Sequence, residues 1–157
     1  MSQPPVATGG VPLARLFAMA LRDFVTGLHE RLAARGYPEA RSSHGFVLLS
    51  ARGGGITMVD VAELLGVTKQ AASKTVEGLC AAGYLRRVPH PSDGRARLLV
   101  VSERGAAFLA AVEDIYAELE AEWAGLLGRD RVEALRGDLE VALRARHGGP
   151  LPQLRPT

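Results

Sequence analysis

The stretch from Thr57 to Gly105 constrains the fold of this chain more than any other: TMVDVAELLGVTKQAASKTVEGLCAAGYLRRVPHPSDGRARLLVVSERG. It predicts two short helices joined by a tight turn. The first, Met58 to Leu65, sets apolar Val61, Ala62, Leu64 and Leu65 against polar Asp60 and Glu63. Gly66 is placed to end it, because glycine tolerates the left-handed conformation after a helix C-terminus. Thr68 can cap the next helix by accepting a backbone N–H. That second helix, Lys69 to Ala82, has Ala72, Val76, Leu79 and Gly83 at helical spacing as its inward face. Lys69, Gln70, Ser73 and Lys74 occupy the other face in its first two turns. Lys, Gln and Ser at a helix N-terminus are the donors and acceptors that a major-groove reader needs. A solvated helix face is the plainer alternative, and the basic hairpin after Gly83 weighs against it.

The chain has seventeen arginines and two lysines, and both lysines fall on that one helix. Beyond Gly83, Tyr84–Val88 and Arg97–Val101 read as paired strands, with Asp93-Gly94 as the turn signal in the connecting loop. Between Thr68 and Arg97 lie six cations (Lys69, Lys74, Arg86, Arg87, Arg95, Arg97) and two anions (Glu77, Asp93). The local net of +4 exceeds the +2 of the whole chain, so the positive charge is concentrated here. A helix-turn-helix joined to a basic hairpin is a winged helix. Its second helix would enter the major groove, while its wing would reach phosphate or the minor groove.

These residues resemble the DNA-binding domain of the MarR family of bacterial transcriptional regulators. The resemblance is carried by L-G-V-T-K-Q-A-A-S-K before and into the second helix and by L-C-A-A-G-Y-L-R-R leaving it. D-G-R in the wing (Asp93, Gly94, Arg95) and S-E-R-G (Ser102 to Gly105) opening the next helix complete it. The motif-bearing match covers about a third of the chain, and the helices on either side fit the same arrangement. The resemblance implies a mainly α fold with a small β-hairpin wing, a winged helix-turn-helix carrying N- and C-terminal dimerisation helices. It also implies a homodimer on double-stranded DNA, with contacts from Thr68, Lys69, Gln70, Ser73, Lys74, Arg86, Asp93, Arg95 and Arg97. An effector pocket is implied between the first, second and long fifth helices, for which Phe17, Arg22, His44 and Tyr116 are candidates. The expected effector is a small aromatic or phenolic molecule.

The rest of the chain is consistent with one domain at residues 12–147, containing the winged helix at 56–105 and dimerisation helices at 12–34 and 106–147. Residues 1–11 are Pro- and Gly-rich and read as an arm, and residues 148–157 as a tail. From Pro12 to about Ala34, Leu13, Phe17, Ala20, Leu21, Phe24, Leu28 and Leu32 recur at spacings of three and four, and Leu16 and Val25 widen the stripe. A helix apolar over more than one face needs more than one partner. Gly36-Tyr37-Pro38 breaks it. Ser42 or Ser43 can cap a second helix, His44 to about Ala51, whose apolar Phe46, Val47, Leu48 and Leu49 imply burial. Gly53-Gly54-Gly55 reads as a turn, since it lacks the G-K-[ST] ending of a phosphate loop. Ile56 is a candidate third strand. Ser102 caps a long helix to about Leu127, striped by Phe108, Leu109, Val112, Ile115, Tyr116, Leu119 and Trp123. Its acidic middle (Glu113, Asp114, Glu118, Glu120, Glu122) cannot face phosphates. A last helix, Arg129 to about Arg146, has Val132, Leu135, Leu139, Ala142 and Leu143 as its expected inward face.

Composition narrows the classes. An apolar content of 47% with 23% charged residues fits a soluble globular protein, with no membrane partner and a cytoplasmic location. No secretory signal pattern stands at the start. His29, His44, His90 and His147 are far apart, and no H-E-x-x-H, C-x-x-C, G-x-S-x-G or G-x-G-x-x-G occurs. The expectation is therefore no enzyme, no cofactor and no metal. Cys80, the single cysteine, reads as a small hydrophobe at the core edge or, with Arg86 and Arg87 close in sequence, as a redox-sensitive thiol. Two function classes remain: a ligand-responsive regulator, most often a repressor, that binds a short inverted repeat, and a non-sensing architectural or protein-interaction winged helix.

Overall fold

The structure is a computed structural model that describes residues 10–152, apart from the Ser42 side chain. The expected arm and tail fall largely outside the described residues. The elements run α1 (Leu13–Ala34), α2 (Ser42–Ala51), α3 (Met58–Leu65), α4 (Lys69–Ala81), β1 (Leu85–Pro89), β2 (Arg97–Val101), α5 (Glu103–Leu127) and α6 (Arg129–His147). The fold is mainly helical with one antiparallel hairpin, as the sequence predicts. Ile56 adds an isolated antiparallel bridge to Leu99 on the free edge of β2, with amide-to-carbonyl distances of 3.0 and 2.8 Å.

One core joins α2, α3, α4, the hairpin and the first half of α5. Val47, Leu48, Val61, Val76, Leu79 and Ile115 are fully buried at its centre. Burying each such side chain stabilises the fold by roughly 1.5–3 kcal/mol. The C-terminal part of α1 packs antiparallel on α5: Phe24 meets Trp123 edge-to-face at 5.2 Å, and Arg35, further along, pairs with Glu118. Arg31 pairs with both Glu118 and Glu122, and Arg136 of α6 pairs with Glu120 at 2.6 Å. Much of the acidic middle of α5 is thus matched by arginines of the flanking helices. Exposed pairs of this kind contribute at most about 1 kcal/mol each.

Several expectations need correction. In α1 only Leu28 and Leu32 are buried, while Leu13 and Leu21 stand 68% and 65% exposed. The expected inward face of α6 buries nothing: Val132 and Leu139 are half-buried, and Leu135, Ala142 and Leu143 are exposed. The periodicity is that of a helix in both cases, but no other described residues of the chain cover these faces. Neither Ser42 nor Ser43 caps α2. The helix starts at Ser42, the cap position is Arg41, and the Arg41 amide donates to His44 Nδ1 at 3.4 Å. Leu49 is exposed, because ten residues of helix cannot turn four consecutive side chains inward. Gly83 lies beyond α4, exposed, at φ +82°, so it belongs to the turn and not to the buried face. Tyr84 precedes the strand instead of opening it and is buried.

Candidate nucleic-acid interface

The α3–α4 unit is fixed by local chemistry at both helix starts. Thr57 Oγ1 accepts from the Asp60 amide at 3.3 Å, and Asp60 Oδ2 accepts from the Thr57 amide and hydroxyl, each at 2.7 Å. This reciprocal cap satisfies orphan amides at the N-terminus of α3. The Thr57 amide first, then its hydroxyl, holds the Asp60 carboxyl below its ordinary range. Gly66 closes α3 in the left-handed region at φ 64°, where a side chain would be strained. Thr68 Oγ1 then accepts from the Ala71 amide at 3.2 Å and starts α4. Ala72, Val76 and Leu79 pin α4 to the core with no exposure.

The opposite face of α4 is open. Gln70 and Lys74, four residues apart, project together, and Lys69 precedes them in the first turn; all three are exposed. Ser73 is half-buried, and its hydroxyl donates to Glu77 Oε1 at 3.1 Å. Glu77 is an exposed carboxylate on the same face, and nothing in the sequence pattern singles it out. Cys80 is half-buried against the core.

The hairpin register pairs Leu85 with Val101, Arg86 with Val100, Arg87 with Leu99, Val88 with Leu98 and Pro89 with Arg97. Cross-strand partners share a face and successive residues alternate. Arg87 and Arg97 therefore lie on the face of Leu85 and Leu99, beyond the edge of the core. Arg86 stands on the opposite face, with Val88, Leu98 and Val100. The structure thus separates two arginines that the sequence groups, and it brings Arg87 to the side of Arg97. The register carries this information, and composition does not.

At the tip, His90 and Ala96 close the loop, the His90 amide donating to the Ala96 carbonyl at 3.2 Å. The Ala96 amide donates to the Asp93 carbonyl at 3.2 Å, which centres the turn on Gly94 and Arg95. Gly94 is not among the positive-φ glycines, so this is not the mirror-image turn that Asp-Gly favours in two-residue hairpins. Asp93 Oδ1 accepts from the Arg95 amide at 3.0 Å. No ion pair joins Asp93 to the Arg95 guanidinium among the described residues, and the Arg95 side chain is exposed.

The S-E-R-G segment locks this unit to α5. Ser102 Oγ accepts from the Gly105 amide at 3.0 Å and donates to the Gly83 carbonyl. A Cβ on Gly105 would stand 2.2 Å from the Tyr84 carbonyl oxygen, so only glycine allows this approach. Arg104 donates to the Ala82 carbonyl at 3.1 Å and to the Gly36 carbonyl at 3.5 Å. Its guanidinium also lies over the rings of Tyr37 and Tyr84, at 5.2 and 5.1 Å. Tyr84 in turn packs on Phe108 at 5.1 Å. Burial pushes the Tyr84 phenol up, and the nearby Arg104 guanidinium opposes the shift.

The four effector-pocket candidates make no polar or aromatic contact with one another among the described residues. Phe17 and Arg22 are exposed, and His44 and Tyr116 are half-buried. Burial, and then Arg41, lowers the His44 pKa from its ordinary value. Burial, and then Glu113, raises that of Tyr116. A cavity of about 250 Å³ lies elsewhere, against Arg52, Val101, Leu109 and Glu113. Among the described residues, no group of three or more His, Cys, Asp or Glu side chains could hold a metal. No helix among them is long and apolar enough to cross a membrane.

Comparison with known proteins places this geometry. The model of the MarR family matches residues 46–96, from within α2 to the tip of the wing. HTH-type transcriptional regulators of Mycobacterium tuberculosis and Mycobacterium bovis are each 35% identical over 79 residues, covering 49% of this chain and 55% of the relative. The chain thus spans about half the length of the curated relatives it matches. Among solved structures, the reduced form of MarR from E. coli superposes with a TM-score of 0.70 at 27% identity, covering 87% of this chain and 99% of that one. A MepR variant of S. aureus bound to an oligodeoxyribonucleotide shares the fold, with a TM-score of 0.63 at 19% identity, covering 87% of this chain and 99% of that one. The family match is centred on the winged helix, and the structural likeness extends through the terminal helices: over residues 46–96 the chain is similar to the MarR family, and its fold is that of the solved MarR and MepR structures.

Proposed function

We propose that this chain is a DNA-binding transcriptional regulator that acts as a homodimer on a short inverted repeat. The observation that carries this is the open face of α4. Its Lys69, Gln70 and Lys74 stand exposed beside a hairpin bearing Arg87, Arg95 and Arg97, while Glu118, Glu120 and Glu122 of α5 are engaged by arginines elsewhere. Lysine can donate to guanine O6 and N7, and glutamine can bond adenine N6 and N7 as a pair. Thr68 would serve by setting the start of α4, and Ser73 by orienting Glu77. Arg95 would reach the minor groove or its phosphates, where the negative potential favours arginine. Arg86, on the other hairpin face, would contribute charge rather than a base contact.

Dimerisation is supported by the uncovered apolar faces of α1 and α6, where Leu13, Leu16, Phe17, Leu21 and Val141 are exposed. Apolar surface of this extent marks an interface. A repressor role is supported by the 27% identical protein described as the multiple antibiotic resistance repressor. Release by a small aromatic or phenolic effector, with Phe17, Arg22, His44 and Tyr116 as candidate contacts, would require the dimer to assemble the pocket. A cytoplasmic location follows from the proposed role.

Selection of bound duplexes from a random pool tests the proposal. The expected result is an inverted repeat with half-sites about 34–36 Å, or one turn, apart. Binding without sequence preference would favour an architectural protein instead.

A further inference from the structure

The open face of α4 carries one group that generic DNA affinity does not explain. Glu77 is the only carboxylate in the helix, three residues after Lys74 and seven after Gln70, on the same exposed face. It makes no ion pair among the described residues. Its one hydrogen bond comes from the half-buried Ser73 hydroxyl, at 3.1 Å to Oε1, which fixes the side chain and leaves Oε2 open. The other anion of the basic stretch, Asp93, has a structural task at the Arg95 amide. Glu77 has none of comparable reach, and a carboxylate beside phosphates opposes association.

We infer that Glu77 is a specificity-determining residue, accepting the N4 amino group of a cytosine in each half-site. A carboxylate has only acceptors, and among the base edges of the major groove the cytosine amino group is a lone donor. Adenine offers its amino group beside the N7 acceptor, which repels a second carboxylate oxygen, and guanine and thymine present acceptors that a carboxylate rejects. Ser73 acts as its positioning residue. The same charge that attracts cytosine weakens binding wherever no cytosine is presented, so Glu77 exchanges affinity for selectivity.

This inference rests on the proposed DNA-binding function. Its test is selection from a random duplex pool with the wild-type protein and with Glu77→Gln, together with binding to a generic duplex at low salt. Gln keeps the size of Glu and its hydrogen bond from Ser73. Wild-type protein is expected to select cytosine at one position per half-site, with roughly 5–150-fold discrimination there. Glu77→Gln is expected to lose that preference, keep the others, and bind generic duplex about 2–10-fold tighter, an effect that shrinks as salt rises. Ser73→Ala is expected to blunt the cytosine preference, because Glu77 loses its one hydrogen bond. An unchanged motif with Glu77→Gln overturns the inference and leaves the DNA-binding proposal standing. A wild-type protein that selects no motif overturns both.

Discussion

The carboxylate of Asp93 holds Arg95 by its backbone amide, at 3.0 Å, and not by its guanidinium. The aspartate shapes the tip of the wing and leaves the arginine side chain free. The two contributions of Asp93, an acceptor oxygen and a negative charge, can therefore be separated. Asp93→Asn keeps the acceptor and removes the charge, so DNA binding should hold or tighten. Asp93→Ala removes both and should weaken binding by roughly 0.5–1.5 kcal/mol, the net contribution of one hydrogen bond. Salt-titrated fluorescence anisotropy with both variants checks this. Tighter binding by Asp93→Ala would refute the shaping role.

The junction between the winged helix and α5 should be the most sensitive point of the fold. Gly105→Ala drives a Cβ to 2.2 Å from the Tyr84 carbonyl oxygen, where backbone must move. The expected loss is about 3 kcal/mol or more. Ser102→Ala removes a helix cap and should cost about 1–2 kcal/mol. Arg104→Ala removes an exposed guanidinium from two rings and two carbonyls. It should also cost about 1–2 kcal/mol. Urea denaturation monitored by circular dichroism gives the ranking, with Gly105→Ala expected to be the most destabilised.

His44 predicts a pH dependence. Burial favours its neutral form, and Nδ1 must be unprotonated to accept from the Arg41 amide. The folded pKa therefore lies below the ordinary histidine value of 6.5. The unfolded state binds more protons in that window, so stability is fully present above about pH 6.5 and falls as pH drops through the folded pKa. Histidine resonances resolved by NMR should give a His44 midpoint below about 6.5, and His44→Gln should flatten the stability profile between about pH 5 and 7. A midpoint above the ordinary value would contradict the assignment.

Sequence legibility tracks the range of the forces involved. Met58–Leu65, Gly66, Thr68 and Ser102 are readable because caps and stops are decided within about four residues. Tyr84 reads as strand because its strand-like character is local, whereas its burial under Gly105 and Phe108 arises from packing. That Arg86 and Arg97 lie on opposite faces of the hairpin is invisible in a count of cations for a similar reason, since faces are set by pairing register. In α6 the pattern is visible but its partner is not, because no surface among the described residues covers Leu135 or Leu143. Glu77 carries no signal of its own in the sequence: in a count of cations it is a subtraction, whereas its place on the α4 face is what matters.

Gln70 should read a base rather than a phosphate. Gln70→Ala is expected to cost about 1–3 kcal/mol on the preferred duplex and to relax preference at one position per half-site, with little change in salt slope. Competition binding with single-base variants measures this. A uniform loss across all sequences would move Gln70 from base reading to backbone contact.

The central claim is that two copies of this chain set two α4 helices on one duplex, held by the apolar faces of α1 and α6. Hydroxyl-radical footprinting on the selected duplex tests it most directly. The expected result is two symmetric protected patches on one side of the DNA, about 10–10.5 base pairs apart, each flanked by a weaker wing contact. A single patch, or protection without periodicity, would contradict it.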